Sequence, residues 1–406
     1  MSSHYLNNQT EHYTKLLGTL RAVNTTRLIF LLAGFSMAAW APIVPLIKDK
    51  LTLSDDILGL LLISLAVGSL AMMPLAAFLI EKLSCKKVIC LGFLVVSLTL
   101  PLLMFAPNLI FMLAVLFCFG AGLGLVDIAM NTQAVLLEKA SPKPIMSSMH
   151  AFWSIGGVIG STIVTTLLGI KIDPLLTLLI AVILIIFAFV PFIKNLLPKQ
   201  IEPLDENGQI KPTEKTPFIV LPKGIVLLIG ILCFILFLAE GAMLDWSAIY
   251  LNQFRDVPLN ISGSGFIVFS IAMTVGRLTG DWVVASLGRF KVLFWGALLS
   301  ALGYLLLIVV PIHFVSFIGI TLIGIGASNA VPILFTAAGN QKEMPAHLAI
   351  AAVAMVGYGG MLIGPAAIGF ISNQIGLDKA FFLISSLLLI VVLCSKKVTS
   401  TVTKNE

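Results

Sequence analysis

The chain has 406 residues, 59% hydrophobic and only 11% charged, with a mean hydropathy of +1.07 and a formal net charge of +6. A soluble domain is roughly 45–50% apolar and about 25% charged, so a soluble fold of this length could not hide so much apolar surface. The composition therefore implies an integral membrane protein. The basic balance does not point to nucleic acid, because Lys and Arg fall in short segments between apolar runs.

The first 27 residues are polar and lack the basic start of a signal peptide, so the first apolar run, from Leu28, is expected to stay uncleaved. A bilayer core of about 30 Å needs roughly 20 apolar residues per helix. Twelve runs qualify, at about 28–48, 57–80, 88–106, 109–137, 146–170 and 174–193, then 224–252, 262–286, 290–310, 314–339, 347–373 and 378–395. Between the two sets lies Lys194 to Lys223, with five lysines, four acids and five prolines. It reads as a solvated linker, giving a six-helix half over 1–193, a linker over 194–223 and a second half over 224–406. Cys85, Cys90, Cys118, Cys233 and Cys394 show no paired or metal-type spacing and are read as reduced and inert.

Lys and Arg collect on the cytoplasmic side of membrane helices. With twelve spans, the termini, the linker and the loops after helices 2, 4, 8 and 10 share one side, which carries 19 of the 25 basic residues. The opposite side carries Lys48, Lys50, Lys171, Arg255 and Lys379, and Arg277 alone lies inside a span. Both termini are therefore expected in the cytoplasm.

The halves also repeat at a shift of about 204–206 residues. Trp40, Gly59 and Ser64 recur as Trp246, Gly265 and Ser270. Gly120, Gly122, Gly156 and Gly160 recur as Gly324, Gly326, Gly360 and Gly364. Two parallel six-helix repeats are the plan of one large class of secondary transporters.

With these features, the chain resembles the major facilitator superfamily along its whole length. That family has a Gly-x-x-x-Asp-Arg-x-Gly-Arg-Arg pattern after helix 2. Here "AFLIEKLSCKK" keeps an acid at Glu81 and bases at Lys82, Lys86 and Lys87, with Ala77 and Ser84 at the glycine positions. The second-half copy, "GRLTGDWVVASLGRFKV", keeps Gly288 and Arg289 without the acid–base pair. Within the superfamily, "VDIAMNTQA", "SSMHAFWSIGG" and "AEGAMLDWSAIYL" resemble the fucose-permease-like sugar porters and their bacterial relatives. Those permeases are similar in carrying an acid four residues before an asparagine on helix 4, where it takes part in proton-coupled uptake. The matching pair here is Asp127 and Asn131. The permeases also have an acid on helix 1, and "GFSMAAWAPIVPL" has none. The resemblance implies twelve helices in two pseudo-symmetric bundles, a bacterial inner-membrane location and no cofactor.

Ionisable groups at membrane depth usually mark a pathway. Asp127 falls about 6 Å from the midpoint of helix 4, and Asn131 shares its face. Gly120 and Gly124 continue that line, offering either open space or close helix approach. No basic residue is predicted at that depth, so Asp127 reads as a group that takes up and releases a proton. Glu240, near the middle of helix 7, likewise lacks an obvious basic partner. It is the second candidate for the proton, against a structural hydrogen bond.

Asp245 lies about 140° around the helix from Glu240, so the two acids cannot share a face. With Trp246 it is placed toward the outer side as a candidate solute contact. Asn131, His150, Trp153, Trp40, Asn329 and Tyr358 complete the candidate solute-binding set. Arg277 and Asp281 are spaced i, i+4 and are expected near the cytoplasmic end of helix 8, resembling the charge lattice of a facilitator's inward gate. Glu81, Lys82, Lys86, Lys87, Gly288 and Arg289 share that gating and structural role. Pro42, Pro45, Pro74, Pro332 and Pro365 are expected to bend their helices.

No Gly-x-x-x-x-Gly-Lys phosphate loop and no His/Cys metal cluster occurs, so neither enzyme chemistry nor ATP-driven transport is expected. The reading is a monomeric secondary transporter that moves a small polar solute, a sugar or related metabolite, with protons by alternating access. Two alternatives stand. "GGMLIGPAAIG" resembles a motif of drug/proton antiporters and would suit an exporter, although those carry it on helix 5 rather than helix 11. A transport-inactive sensor with the same fold is the other; its discriminator is loss of titratable groups, and this chain keeps Asp127 and Glu240. A channel is disfavoured because nothing resembles a ring of selectivity residues.

Overall fold

The computed structural model describes residues 19–53, 55–198, 221–258 and 263–400. Among these residues, twelve helices are long and apolar enough to cross a membrane, one for each predicted run. In order they are Leu20–Lys50, Ile63–Lys82 (within the helix Asp55–Lys82), Cys85–Phe105, Leu109–Lys139, Met146–Gly169, Pro174–Asn195, Gly224–Arg255, Ser264–Leu287, Arg289–Val309, His313–Asn340, Ala346–Ile375 and Leu377–Thr399. They are called spans 1 to 12 below.

Span 1 begins eight residues before the predicted run. The reason is Thr19, whose hydroxyl accepts from the Ala22 amide at 3.2 Å and starts the helix. Span 1 is also interrupted. The helix Leu20–Trp40 passes into a 3-10 turn at Ala41–Ile43, which holds Pro42, and resumes at Val44–Lys50, which holds Pro45. Proline has no N–H for the ladder, so two of them three residues apart break it here. Pro74 and Pro365, by contrast, lie inside continuous helices.

The chain forms two compact units. The first holds residues 1–141 and 152–221; the second holds 142–151 and 222–406. The start of span 5 therefore belongs with the second unit rather than with the half that its chain position assigns. The linker Lys194–Lys223 lies largely outside the described residues. Its beginning is not simply solvated: Leu197 is buried in the first unit, donating its amide to Gln133 Oε1 at 3.0 Å and accepting from the Lys86 amide at 3.4 Å.

Within each unit, the repeated glycines meet equivalent partners. Gly156 of span 5 lies against the Leu31 carbonyl of span 1, and Gly360 of span 11 against the Phe234 carbonyl of span 7. Gly120 of span 4 meets the Leu65 carbonyl of span 2; Gly324 of span 10 meets that of Phe269 in span 8. Gly122 and Gly326 sit on the carbonyls of Gly92 and Gly296 in spans 3 and 9. Absence of a side chain lets paired backbones touch, and in lipid such packing drives helix association. Gly120→Val is expected to force spans 2 and 4 apart and cost about 1–3 kcal/mol, the usual range for overpacking. A lower thermal unfolding midpoint of the detergent-solubilised protein checks this.

The loop motif is explained by backbone. Ser84 and Gly288, 204 residues apart, both take positive φ, +145° and +81°. Only glycine adopts that region freely. Ser84 offsets part of the strain by accepting from the Lys87 amide at 3.2 Å, which caps span 3. At the opposite end of the second unit, Arg255 closes span 9. Its guanidinium donates to the Leu307 carbonyl, to that of Ile308 at 2.8 Å and to the Tyr250 hydroxyl at 2.8 Å. Tyr250 in turn donates to Asp378 of span 12 at 2.6 Å.

Candidate functional site

In the first unit, Asp127 and Asn131 form the predicted pair. Asn131 Nδ2 donates to the Asp127 main-chain carbonyl at 2.9 Å and to its carboxylate Oδ1 at 3.2 Å. Asn131 is 1% exposed, and its own Oδ1 has no hydrogen-bond partner among the described residues. Asp127 is half-buried, about 5 Å along the helix from the centre of span 4 at 1.5 Å per residue. The glycine line beside it is not open space. Gly120 and Gly124 lie against the carbonyls of Leu65 and Ser69, so span 2 fills that strip. Trp40 is buried, and Trp153 is 39% exposed.

In the second unit the polar residues converge far more than expected. Glu240 does have a basic partner: Arg277 Nη2 lies 3.7 Å from its Oε2, with both side chains about nine-tenths buried. The expectation that Glu240 lacked one, and that Arg277 sat near the cytoplasmic end, is corrected. Span 8 runs Ser264–Leu287 and span 7 runs Gly224–Arg255, which puts both residues near the middle of their helices. Pairing Arg277 with Asp281 by spacing alone had drawn it too far along the helix.

The second partner of Arg277 arises from a break in span 10. That span is two helices, His313–Ala327 and Ala330–Asn340, separated at Ser328 and Asn329. Pro332 has no N–H to give the Ser328 carbonyl four residues earlier. Arg277 Nε supplies a donor instead, at 3.3 Å. Asn329 Nδ2 donates to the Gly276 carbonyl at 3.1 Å and to Ser328 Oγ at 3.0 Å. Gly276 and Gly280 flank Arg277, and a Cβ on either would collide with Ser328 or Asn329 respectively. The bare strip lets the broken segment lie flush against span 8. Irregular backbone at membrane depth is tolerated only where protein or a wet cavity satisfies it.

Asp281 accepts from the Ser148 amide at 3.1 Å, in the first turn of span 5. An anion there complements the helix dipole. His150, one turn on, sets its ring edge against Phe335, with centroids 5.9 Å apart. Tyr358 stacks on Phe237 at 4.9 Å. Both His150 and Tyr358 are close enough to Arg277 to interact with it electrostatically. Thus six predicted residues (Glu240, Arg277, Asp281, Asn329, His150 and Tyr358) share one region of the second unit. Sequence reading missed Tyr304, a fully buried tyrosine whose hydroxyl donates to the Ala239 carbonyl at 2.7 Å, beside Glu240.

Other predicted residues lie elsewhere. Asp245 is exposed, and the Trp246 ring packs against Gly369 of span 11, where an added Cβ would lie 3.2 Å away. Lys82 sits over the Phe78 ring at 4.2 Å, and Lys86, Lys87 and Arg289 occupy the first turns of spans 3 and 9. Glu81 precedes Lys82 at the end of span 2.

The family model of the Major Facilitator Superfamily matches residues 28–346. An uncharacterised MFS-type transporter of Yersinia pestis is 46% identical over 375 residues, covering 92% of this chain and 95% of the relative. Membrane protein MosC of Rhizobium meliloti is 29% identical, covering 90% and 87%. Among solved structures, the transporter FucP in an outward conformation aligns with a TM-score of 0.76 at 17% identity, covering 93% of this chain and 98% of that one. The proton:xylose symporter XylE aligns with a TM-score of 0.69 at 12% identity, covering 95% and 96%.

Proposed function

Because this chain belongs to the Major Facilitator Superfamily of membrane transporters, we propose that it couples solute movement to protons by alternating access, with Asp127 carrying the proton. The supporting observation is the Asp127–Asn131 pair near the middle of span 4, an ionisable group where ionisation is costly and therefore functional by default. The solute class to try first is a sugar or related small polar metabolite. Two similar structures, at 17% and 12% identity, bear the names of fucose:proton and proton:xylose symporters.

The membrane is the bacterial inner membrane, with both termini in the cytoplasm. Trp282 and Trp295, 73% and 61% exposed, flank the turn at Gly288 as an interfacial aromatic pair, which supports a membrane boundary there. The excess of Lys and Arg on the same side supports reading that boundary as the cytoplasmic one.

The test starts from purified protein in a thermal-shift screen against sugars, sugar acids and amino acids. Compounds that stabilise it are then offered to proteoliposomes with and without an imposed pH gradient. At least one is expected to accumulate only when the lumen is the alkaline side. Uptake indifferent to the gradient for every stabilising compound would refute proton-coupled uptake.

A further inference from the structure

We infer that Asn131 sets the pH at which Asp127 takes up its proton. It holds an amide N–H against Oδ1, which favours the carboxylate and leaves Oδ2 as the oxygen that is protonated. This rests on the proton-carrying role proposed for Asp127 above. It adds the atom that takes the proton and the residue that tunes it.

The orientation of the Asn131 amide is fixed by backbone. Its Nδ2 lies 2.9 Å from the main-chain carbonyl of Asp127, one turn earlier. A carbonyl only accepts, so the amide nitrogen and not the amide oxygen must face it, whatever the charge on the carboxyl nearby. The second N–H of the same group then falls on Asp127 Oδ1, at 3.2 Å. The donor is thus held in place by span 4 itself and stays there when Asp127 is neutral.

The other end of the amide shows what this arrangement costs. Asn131 is 1% exposed, and its Oδ1, turned away from Asp127, has no hydrogen-bond partner among the described residues. Asparagine is also a poor helix former. A buried amide satisfied at one end only is unfavourable, so stability does not account for the residue. Its donor end does. A hydrogen bond to an ionised group is roughly twice as strong as one between neutral groups, so this bond weakens on protonation and opposes it.

The step itself moves one proton from water onto a lone pair of Oδ2 and neutralises the carboxylate. Asn131 gives up no proton and acts through Asp127, as a positioning residue. Spans 1, 2 and 3 pack against span 4. Spans 1 and 2 carry no ionisable residue between Arg27 and Lys48 or between Asp56 and Glu81, and past Lys87 span 3 carries only Cys90. On span 4 the other ionisable groups are Cys118, Glu138 and Lys139, each more than two turns from Asp127. Further contacts of Asp127 are common to wild type and an Asn131 variant, so they cancel from the comparison.

The experiment is an infrared titration of the purified full-length protein, with no solute added, following the C=O stretch of protonated carboxyl groups. Subtracting the spectra of the matching Asp127→Asn protein leaves the band of Asp127. In Asn131→Ala the pH of half-protonation is expected to rise by about one unit, the difference between a hydrogen bond to a charged group and one to a neutral group. The band should also move to higher frequency, because the Oδ1 carbonyl has lost its donor. Asn131→Asp, which keeps the side-chain shape, replaces the donor by a like charge and should raise the midpoint at least as far. It carries the same test if the alanine variant does not fold. A merely structural asparagine would lower the thermal unfolding midpoint and leave the titration where it was. An unchanged or lowered midpoint in the variants overturns the inference, and an unchanged frequency in Asn131→Ala overturns the assignment to Oδ2; both leave Asp127 as the proton site. A wild-type Asp127 band that appears at no pH removes the proton-carrying role and the inference together.

Discussion

Asp127→Asn is expected to reduce the accumulation ratio in proteoliposomes under a pH gradient to about one, because a carrier without its proton site equilibrates the solute and no more. Exchange of labelled for unlabelled solute should remain largely intact. The substitution is close to isosteric, and its amide oxygen can still accept from Asn131 Nδ2, which lies 3.2 Å from the present Oδ1. What it removes is the ability to bind and release a proton. Loss of both activities together would make Asp127 a structural residue or a solute ligand, and retention of accumulation would move the proton elsewhere.

Arg277→Leu is expected to be the most destabilising single substitution in the second unit. It leaves Glu240 as an uncompensated buried charge, for which breaking such pairs costs about 3–5 kcal/mol. It also strips the Ser328 carbonyl of its donor at the break in span 10. Adding Glu240→Gln should restore a large part of the loss, since the buried charge is then gone. The deficit of the single variant should also shrink on acidification, when protonated Glu240 needs no cation. Thermal unfolding of the two single variants and the double variant forms the cycle that isolates the coupling. Strict additivity would mean that the 3.7 Å contact carries no energy.

Much of the architecture was legible because lipid makes strong demands on sequence. Each span had to be an apolar run of about 20 residues, and each of the twelve runs corresponds to a helix. The repeat was legible through glycines, since Gly120 and Gly324, or Gly156 and Gly360, are required wherever equivalent backbones touch. What sequence could not supply was which helix faces which. Arg277 was read with Asp281 because i, i+4 spacing is visible in one dimension. The proximity of span 8 to span 7 that gives it Glu240 is not.

The same limit left the strip at Gly120 and Gly124 undecided between open space and close packing until the carbonyls of Leu65 and Ser69 filled it. The break at Ser328–Asn329 did have a local signal. Pro332 must orphan the carbonyl four residues before it, but its replacement donor, Arg277, comes from 55 positions earlier in the chain. Ser84 is a related case. At the family's glycine position it looked like motif decay, yet its φ of +145° shows that the turn still demands the glycine conformation.

Asp127 is proposed to carry a proton with the solute. Proteoliposomes loaded with a pH-sensitive dye test it directly, with a stabilising solute added outside and no imposed gradient. The wild-type lumen is predicted to acidify as solute enters, while Asp127→Asn vesicles exchange solute with no pH change. Solute entry without acidification in wild-type vesicles, or equal acidification in the variant, would contradict it.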